Sequence, residues 1–440
     1  MRASIHRASV LFLLTASVVS LPSRADTPTA KHSPTALKDY VAKPEPAYGW
    51  KFLGKRGGTY RLELTSQTWQ GITWVHSLYI FEPAQLRYPN KVLVYNAGGN
   101  VGDTVSVPDQ LLGLKLAELT GARCAFLLQV PNQPLMDGKV EDDLITETYL
   151  KFLETNDPNW PLLFPMVKSV VKSMDAIQEF AKSADSGWNQ EIDGFVVAGA
   201  SKRGWTSWLS AVADKRVEGI APMVIDTLNF PAQMKHQMDS WGKFSEQIVD
   251  YTRKGLVDVM FKRPDIPLMA WVDPYTYRRE LTLPKLLICG TNDRYWVVDA
   301  MTLYWDGLVG PKYALYIPNA GHDLNGGIDT VMASVSAFFQ QVVTKVPLPE
   351  PKWSYEERPD AVTLKVDASV APKEVLLWST TADTKDFRES KWESRVIPRS
   401  TEGFVGEVEV PAGKHVALYG ELRFEFNGAP YSLCTLVKTK

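Results

Sequence analysis

Cysteine is scarce. The 440 residues hold three, an odd number with no close spacing. That excludes a disulfide framework and any paired-cysteine metal motif. Cys124 and Cys289 lie in apolar runs that read as core strands, and Cys434 lies near the C-terminus, so buried unpaired thiols are expected. Charge of either sign is not in excess. Forty-eight basic residues face 50 acidic ones, a net charge of −2. No strong field recruits nucleic acid or an anionic membrane. His-Glu-x-x-His, P-loop and dinucleotide fingerprints are all missing, so neither a metal nor a cofactor is expected. His236 and Asp239 share a helical spacing, but two such residues read as polar surface. Long apolar runs are missing too, beyond the N-terminus.

That N-terminus reads as a secretory leader. Arg2 and Arg7 form a basic segment before a short apolar stretch, Val10 to Val19, and Ser23-Arg24-Ala25 supplies small residues before a cleavage point after Ala25. The stretch is shorter than the roughly 20 residues that span a bilayer. The expectation is a signal peptide over 1–25, export to the periplasm or medium, and no membrane anchor in the mature chain.

What is present is a globular composition, 45% hydrophobic and 22% charged, with 14 Trp. Alternation from Tyr48 to Phe81 suggests antiparallel strands. After it come short apolar runs separated by helical patterns: Val92 to Asn96, Cys124 to Val130, Phe195 to Ala198, Val217 to Val224, Leu286 to Ile288 and Tyr313 to Ile317. Such runs imply a mostly parallel sheet with helices on both faces. Between 226 and 283 the alternation breaks into aromatics and helical spacing, which reads as a helical cap inserted in a domain spanning 26–345. A proline-rich hinge, Val346 to Pro351, leads into short alternating strands over 346–440. About 90 residues of this texture fit an immunoglobulin-like β-sandwich.

The most informative run is Phe195-Val196-Val197-Ala198-Gly199-Ala200-Ser201-Lys202-Arg203-Gly204-Trp205. A strand, a tight Gly-x-Ser turn and a helix form the layout of a nucleophile elbow, which exposes a serine hydroxyl at the end of a parallel strand. An activated serine needs a base and an orienting carboxylate, in the chain order Ser, acid, His on the α/β-hydrolase fold. Of six His, only His322 follows a late core strand and precedes the last helix. Asp293, after Leu286 to Cys289, is the expected acid; Asp226 after an earlier strand is the alternative. The oxyanion needs two backbone donors, expected from Lys202 and from the Gly98-Gly99 loop. Arg203 stands where G-x-S-x-G has its last glycine. Lys202 and Arg203 read either as cations for a developing charge or a substrate anion, or as one solvated and one paired with a structural carboxylate. Trp241, Trp271, Tyr275 and Tyr277 of the cap, with Tyr295 and Trp296 beside the acid, are candidate pocket walls.

The chain resembles a known family at Ser201 to Trp205, Asp226 to Asn229, Val272 to Tyr277, Trp305 to Gly310 and Pro318 to His322. These motifs are similar to those of the PhoPQ-activated pathogenicity-related proteins. The likeness implies an α/β-hydrolase domain with a C-terminal β-domain in an exported protein linked to virulence, and its pattern fits Ser201, Asp293 and His322 as a triad. The elbow is also similar to that of glucuronoyl esterases, with Lys202 in place of the cation after the serine. The function expected is hydrolysis of an ester or amide in a small molecule or short peptide. In a peptidase, Glu246, Asp250 or Asp273 could receive the substrate's amine. The other expectation is a non-catalytic exported ligand or signalling protein on a hydrolase scaffold.

Overall fold

A computed structural model describes residues 33–263, 265–401 and 403–440. The proposed leader lies outside them. Helix α1 (Ala36–Ala42) precedes three antiparallel strands, β1 (Gly49–Arg56), β2 (Thr59–Trp69) and β3 (Ile72–Phe81). Then come β4 (Lys91–Asn96), α2 (Val107–Thr120), β5 (Arg123–Leu127), α3 (Glu141–Thr155), α4 (Leu163–Lys182), β6 (Gly194–Ala200), α5 (Lys202–Ala213) and β7 (Val217–Met223). The short helices α6 (Phe230–Trp241), α7 (Val249–Arg253), α8 (Leu256–Lys262) and α9 (Pro267–Val272) fill the stretch before β8 (Lys285–Gly290), where helical spacing interrupts the strand pattern. Strand β9 (Lys312–Ile317) and α10 (Ile328–Thr344) follow.

The strands order as β1-β2-β3-β5-β4-β6-β7-β8-β9, and every neighbour from β5 to β9 runs parallel. Helices α2 and α10 cover one face, and α4 and α5 the other. Strands β5, β6 and β8 carry apolar side chains on both faces and are buried almost throughout, as a sheet covered twice demands.

The C-terminal strands are β10 (Pro351–Arg358), β11 (Ala361–Ala368), β12 (Glu374–Ala382), β13 (Glu393–Val396), β14 (Arg399–Ser400), β15 (Gly403–Glu409), β16 (His415–Phe426), β17 (Ala429–Cys434) and β18 (Lys438–Thr439). They form two antiparallel layers around Val362, Leu364, Val375, Leu377, Leu418 and Leu422, all buried. One layer is β10-β11-β15-β14. The other continues the central sheet, because β17 pairs with β9 where Cys434 meets Ala314. This covers the backbone edge that β9 would otherwise leave open. All three cysteines are buried and unpaired.

Candidate active site

Strand β6 ends at Ala200, and α5 begins at Lys202. Ser201 alone makes the turn, with φ 56° and ψ −127°. A non-glycine residue held at positive φ is strained and needs its surroundings to fix it. Here the Ser201 N–H donates to Met223 O at 2.9 Å, and Asn96 Nδ2 donates to Ala198 O, Arg203 O and Ser207 Oγ beneath the turn. Gly199 is required by this packing, since a Cβ there would sit 2.6 Å from Asn96 Nδ2. Lys202 is the first residue of α5, so its N–H is one of the donors a helix leaves without an intrahelical acceptor.

The loops after β8 and β9 bring two further groups to Ser201. His322 Nε2 lies 2.9 Å from Ser201 Oγ, and His322 Nδ1 lies 2.8 Å from Asp293 Oδ2. The second Asp293 oxygen accepts the Tyr295 N–H at 2.8 Å, so the carboxylate is held at both ends. The loops that carry Asp293 and His322 are bound to each other: Asn292 N–H donates to Ala320 O at 2.9 Å and Asn319 N–H to Thr291 Oγ1 at 2.8 Å. Gly290 permits this approach, because a Cβ there would meet Ala320 O at 2.3 Å. The C-terminal region pins both loops. Asn292 Nδ2 donates to Ser390 O at 2.7 Å, and Asn319 exchanges two bonds with the Trp392 backbone at 2.7 and 3.0 Å.

Asp226, the alternative acid, is occupied elsewhere. It is buried and accepts from Tyr304 Oη and from Cys289 Sγ, the latter at 3.2 Å. Burial pushes its carboxyl up to about 6, against the opposing hydrogen bonds.

Beside the serine is a cavity of about 40 Å³. Ser201, Lys202 and His322 stand at its polar end, and Trp205, Val224, Ile225, Phe230, Ile248, Val257 and Trp296 form most of its wall. Of the six aromatics expected there, Tyr295 and Trp296 line it. Tyr277 is fully buried with its hydroxyl on Trp271 O, Tyr275 packs over Gly307, and Trp241 lies under the Arg388 guanidinium at 3.9 Å. Trp271 packs on Phe152 and Phe164. Aromatic content marks the cap, but packing against neighbours consumes these four rings. Tyr251 also lines the cavity.

Arg203 does not face the cavity. Its guanidinium makes a bidentate pair with Glu141, 2.7 Å on each arm, and donates to Val130 O at 2.5 Å. Room for it comes from Gly98, where a Cβ would stand 2.6 Å from Arg203 Nη2. The departure from G-x-S-x-G is thus compensated one loop away. Gly98 and Gly99 pack against the Arg203 and Asp103 side chains, and neither lines the cavity. Gly204 serves packing: a Cβ there would lie 2.7 Å from Ile225.

Glu141 and Asp142, at the start of α3, went unnoticed in the sequence. Asp142 lines the cavity and accepts from Tyr251 Oη at 2.8 Å, Tyr295 Oη at 3.2 Å and Lys202 Nζ at 3.1 Å. Burial first, then the Asp142 charge, raises both phenols, so they act as donors. The run Glu141-Asp142-Asp143 before an amphipathic stretch was the available signal, since acidic residues favour a helix N-terminus.

Of the other carboxylates considered, Glu246 pairs with Arg294 and Arg388, Asp250 with Arg253, and Asp273 caps the N–H groups of Asn229, Phe230 and Tyr275. His236 pairs with Asp299, and Asp239 with Lys235.

A mostly parallel sheet, a strained serine between strand and helix, and a histidine and aspartate on the two following loops define an α/β-hydrolase. The chain belongs to the PhoPQ-activated pathogenicity-related protein family, whose model matches residues 37–388. It is 34% identical over 387 residues to autocrine proliferation repressor protein A of Dictyostelium discoideum, covering 80% of this chain and 76% of that protein. Among solved structures it is similar to acetyl xylan esterase 1 from Thermoanaerobacterium sp. JW/SL YS485, at 14% identity and TM-score 0.48, over 71% of this chain and 96% of that one. A Pyrococcus horikoshii acylaminoacyl peptidase is similar at 11% identity and TM-score 0.40, over 71% of this chain and 44% of that one.

Proposed function

We propose that this protein is an exported serine hydrolase that cleaves an ester or amide through an acyl-enzyme. The observation that carries this is the unbroken relay from Ser201 Oγ through His322 to Asp293, at 2.9 and 2.8 Å, opening on a cavity. Ser201 Oγ attacks the carbonyl while His322 Nε2 takes its proton. Asp293 holds the His322 Nδ1–H and balances the imidazolium. The Lys202 N–H receives the developing oxyanion, helped by the positive end of α5. His322 then returns the proton to the leaving group, and a water repeats the sequence on the acyl-serine. The leader pattern in residues 1–25 supports export, and the family description supports a link to virulence.

The test is turnover of p-nitrophenyl acetate by the mature chain and its Ser201→Ala variant. Turnover that Ser201→Ala abolishes supports the proposal, and equal turnover by both contradicts it. A second reading, an exported signalling protein without turnover, is favoured by the name of the Dictyostelium relative. A folded wild-type protein inert towards esters and amides would favour it.

A further inference from the structure

Resting on the serine-hydrolase proposal, we infer that the site takes a short, uncharged acyl group and that the cap sets this limit.

Volume is the first argument. The cavity measures about 40 Å³. That is little room beyond the serine, so a short acyl chain fits and a long one meets the wall. That wall is Trp205 from α5, Trp296 from the acid loop, and Phe230 and Val257 from the cap. Val257 is fully buried and cannot swing aside without moving α8.

Charge is the second argument. A peptidase that recognises a free amine needs a carboxylate with spare charge. Asp142 is the only carboxylate lining the cavity among the described residues, and its two oxygens already take three donors. Around it, Glu141 and Asp142 face Lys202 and Arg203, two negative charges against two positive. An entering ammonium would have to displace one of these partners in a buried place, which costs more than a neutral acyl group does. The Tyr251 bond to Asp142 also ties the cap to α3, which holds the wall at this distance.

The experiment measures kcat/KM for p-nitrophenyl acetate, butyrate, hexanoate and octanoate and for alanine p-nitroanilide. It uses the wild-type mature chain, Phe230→Ala and Val257→Ala, each titrated for active serine with a fluorophosphonate. The expected result is an acetate-to-hexanoate ratio of about tenfold or more in the wild type, within the range a hydrophobic pocket gives per few methylenes. The anilide should be slower still. At least one cap variant, Val257→Ala if Phe230→Ala fails to fold, should narrow the ratio severalfold by gaining on hexanoate. A wild-type protein that labels but holds or gains rate out to octanoate, or cleaves the anilide as fast as acetate, overturns this inference alone. Ratios that neither folded variant changes overturn the part assigned to the cap. An absence of labelling and of turnover on every substrate overturns the hydrolase proposal and this inference with it.

Discussion

The phenol ring of Tyr295 lies against the imidazole of His322, with centroids 4.2 Å apart and planes 32° apart. Its hydroxyl is held on Asp142, and its N–H is held on Asp293. One residue therefore braces both His322 and Asp293. In the proposed mechanism its π face would suit the imidazolium.

Replacing Tyr295 by Leu removes the brace and is expected to lower kcat about tenfold, about 1.4 kcal/mol of barrier. Tyr295→Phe keeps the ring and should stay within about threefold of wild type. Steady-state kinetics on p-nitrophenyl acetate decide this, and equal losses in the two variants would place the effect in the hydroxyl.

Asp293 and Asp226 separate cleanly. Asp293→Asn leaves His322 with the wrong proton partner and should cost about 10³–10⁴ in kcat. Asp226→Asn should leave kcat within about threefold. Its carboxyl is held near 6 by burial, above its usual 3.8, so the folded state binds that proton more tightly than the unfolded chain. Stability from this group therefore falls as pH rises from about 4 to about 6. Asp226→Asn should remove that fall, and urea unfolding at pH 4, 5, 6 and 7 measures it.

Arg203 and Glu141 predict an acid step. Burial alone would raise the Glu141 carboxyl, but the Arg203 bonds and charge and the Lys202 charge outweigh it and lower the pKa from 4.5 to about 2. The pair stabilises the fold fully above about 4.5 and loses its effect as pH falls towards about 2. Glu141→Gln should flatten stability over that window. Arg203→Leu at pH 7 strands the carboxylate beside Lys202 and should cost about 2–3 kcal/mol, less than the roughly 3–5 kcal/mol of a fully buried broken pair because Glu141 is partly exposed. Thermal unfolding of both variants across pH tests the assignment.

Asn292 and Asn319 predict a use for the C-terminal strands. Each reaches from a loop of the site to the backbone between Arg388 and Trp392. Asn319→Ala should lower kcat about tenfold or more with little change in KM, because the His322 loop loses its anchor while the cavity stays intact. Equal kcat in wild type and variant would assign these bonds to stability alone.

Most of the fold was legible because its signals are local. Apolar runs of strand length, helical spacing between them and the Gly-x-Ser turn name the elements that hold Ser201, Asp293 and His322. What was not legible depends on distance in the chain. Arg203 reads equally as a substrate cation or as the partner of a structural carboxylate, because nothing near it in sequence shows that Glu141 comes to meet it. Trp241 and Tyr277 looked like pocket walls because aromatics read alike whether they face a cavity or a neighbour. The continuation of the central sheet through β17 rests on a single bridge between Cys434 and Ala314, which no periodicity announces.

The central claim is that Ser201 is a nucleophile activated by His322. Intact-mass analysis of the mature chain after exposure to a fluorophosphonate tests it most directly. The account predicts one phosphonyl adduct, mapped to Ser201, with labelling lost in Ser201→Ala and strongly slowed in His322→Gln. A wild-type protein that stays unlabelled beside an active control hydrolase, or a Ser201→Ala variant that labels as fast, would contradict it.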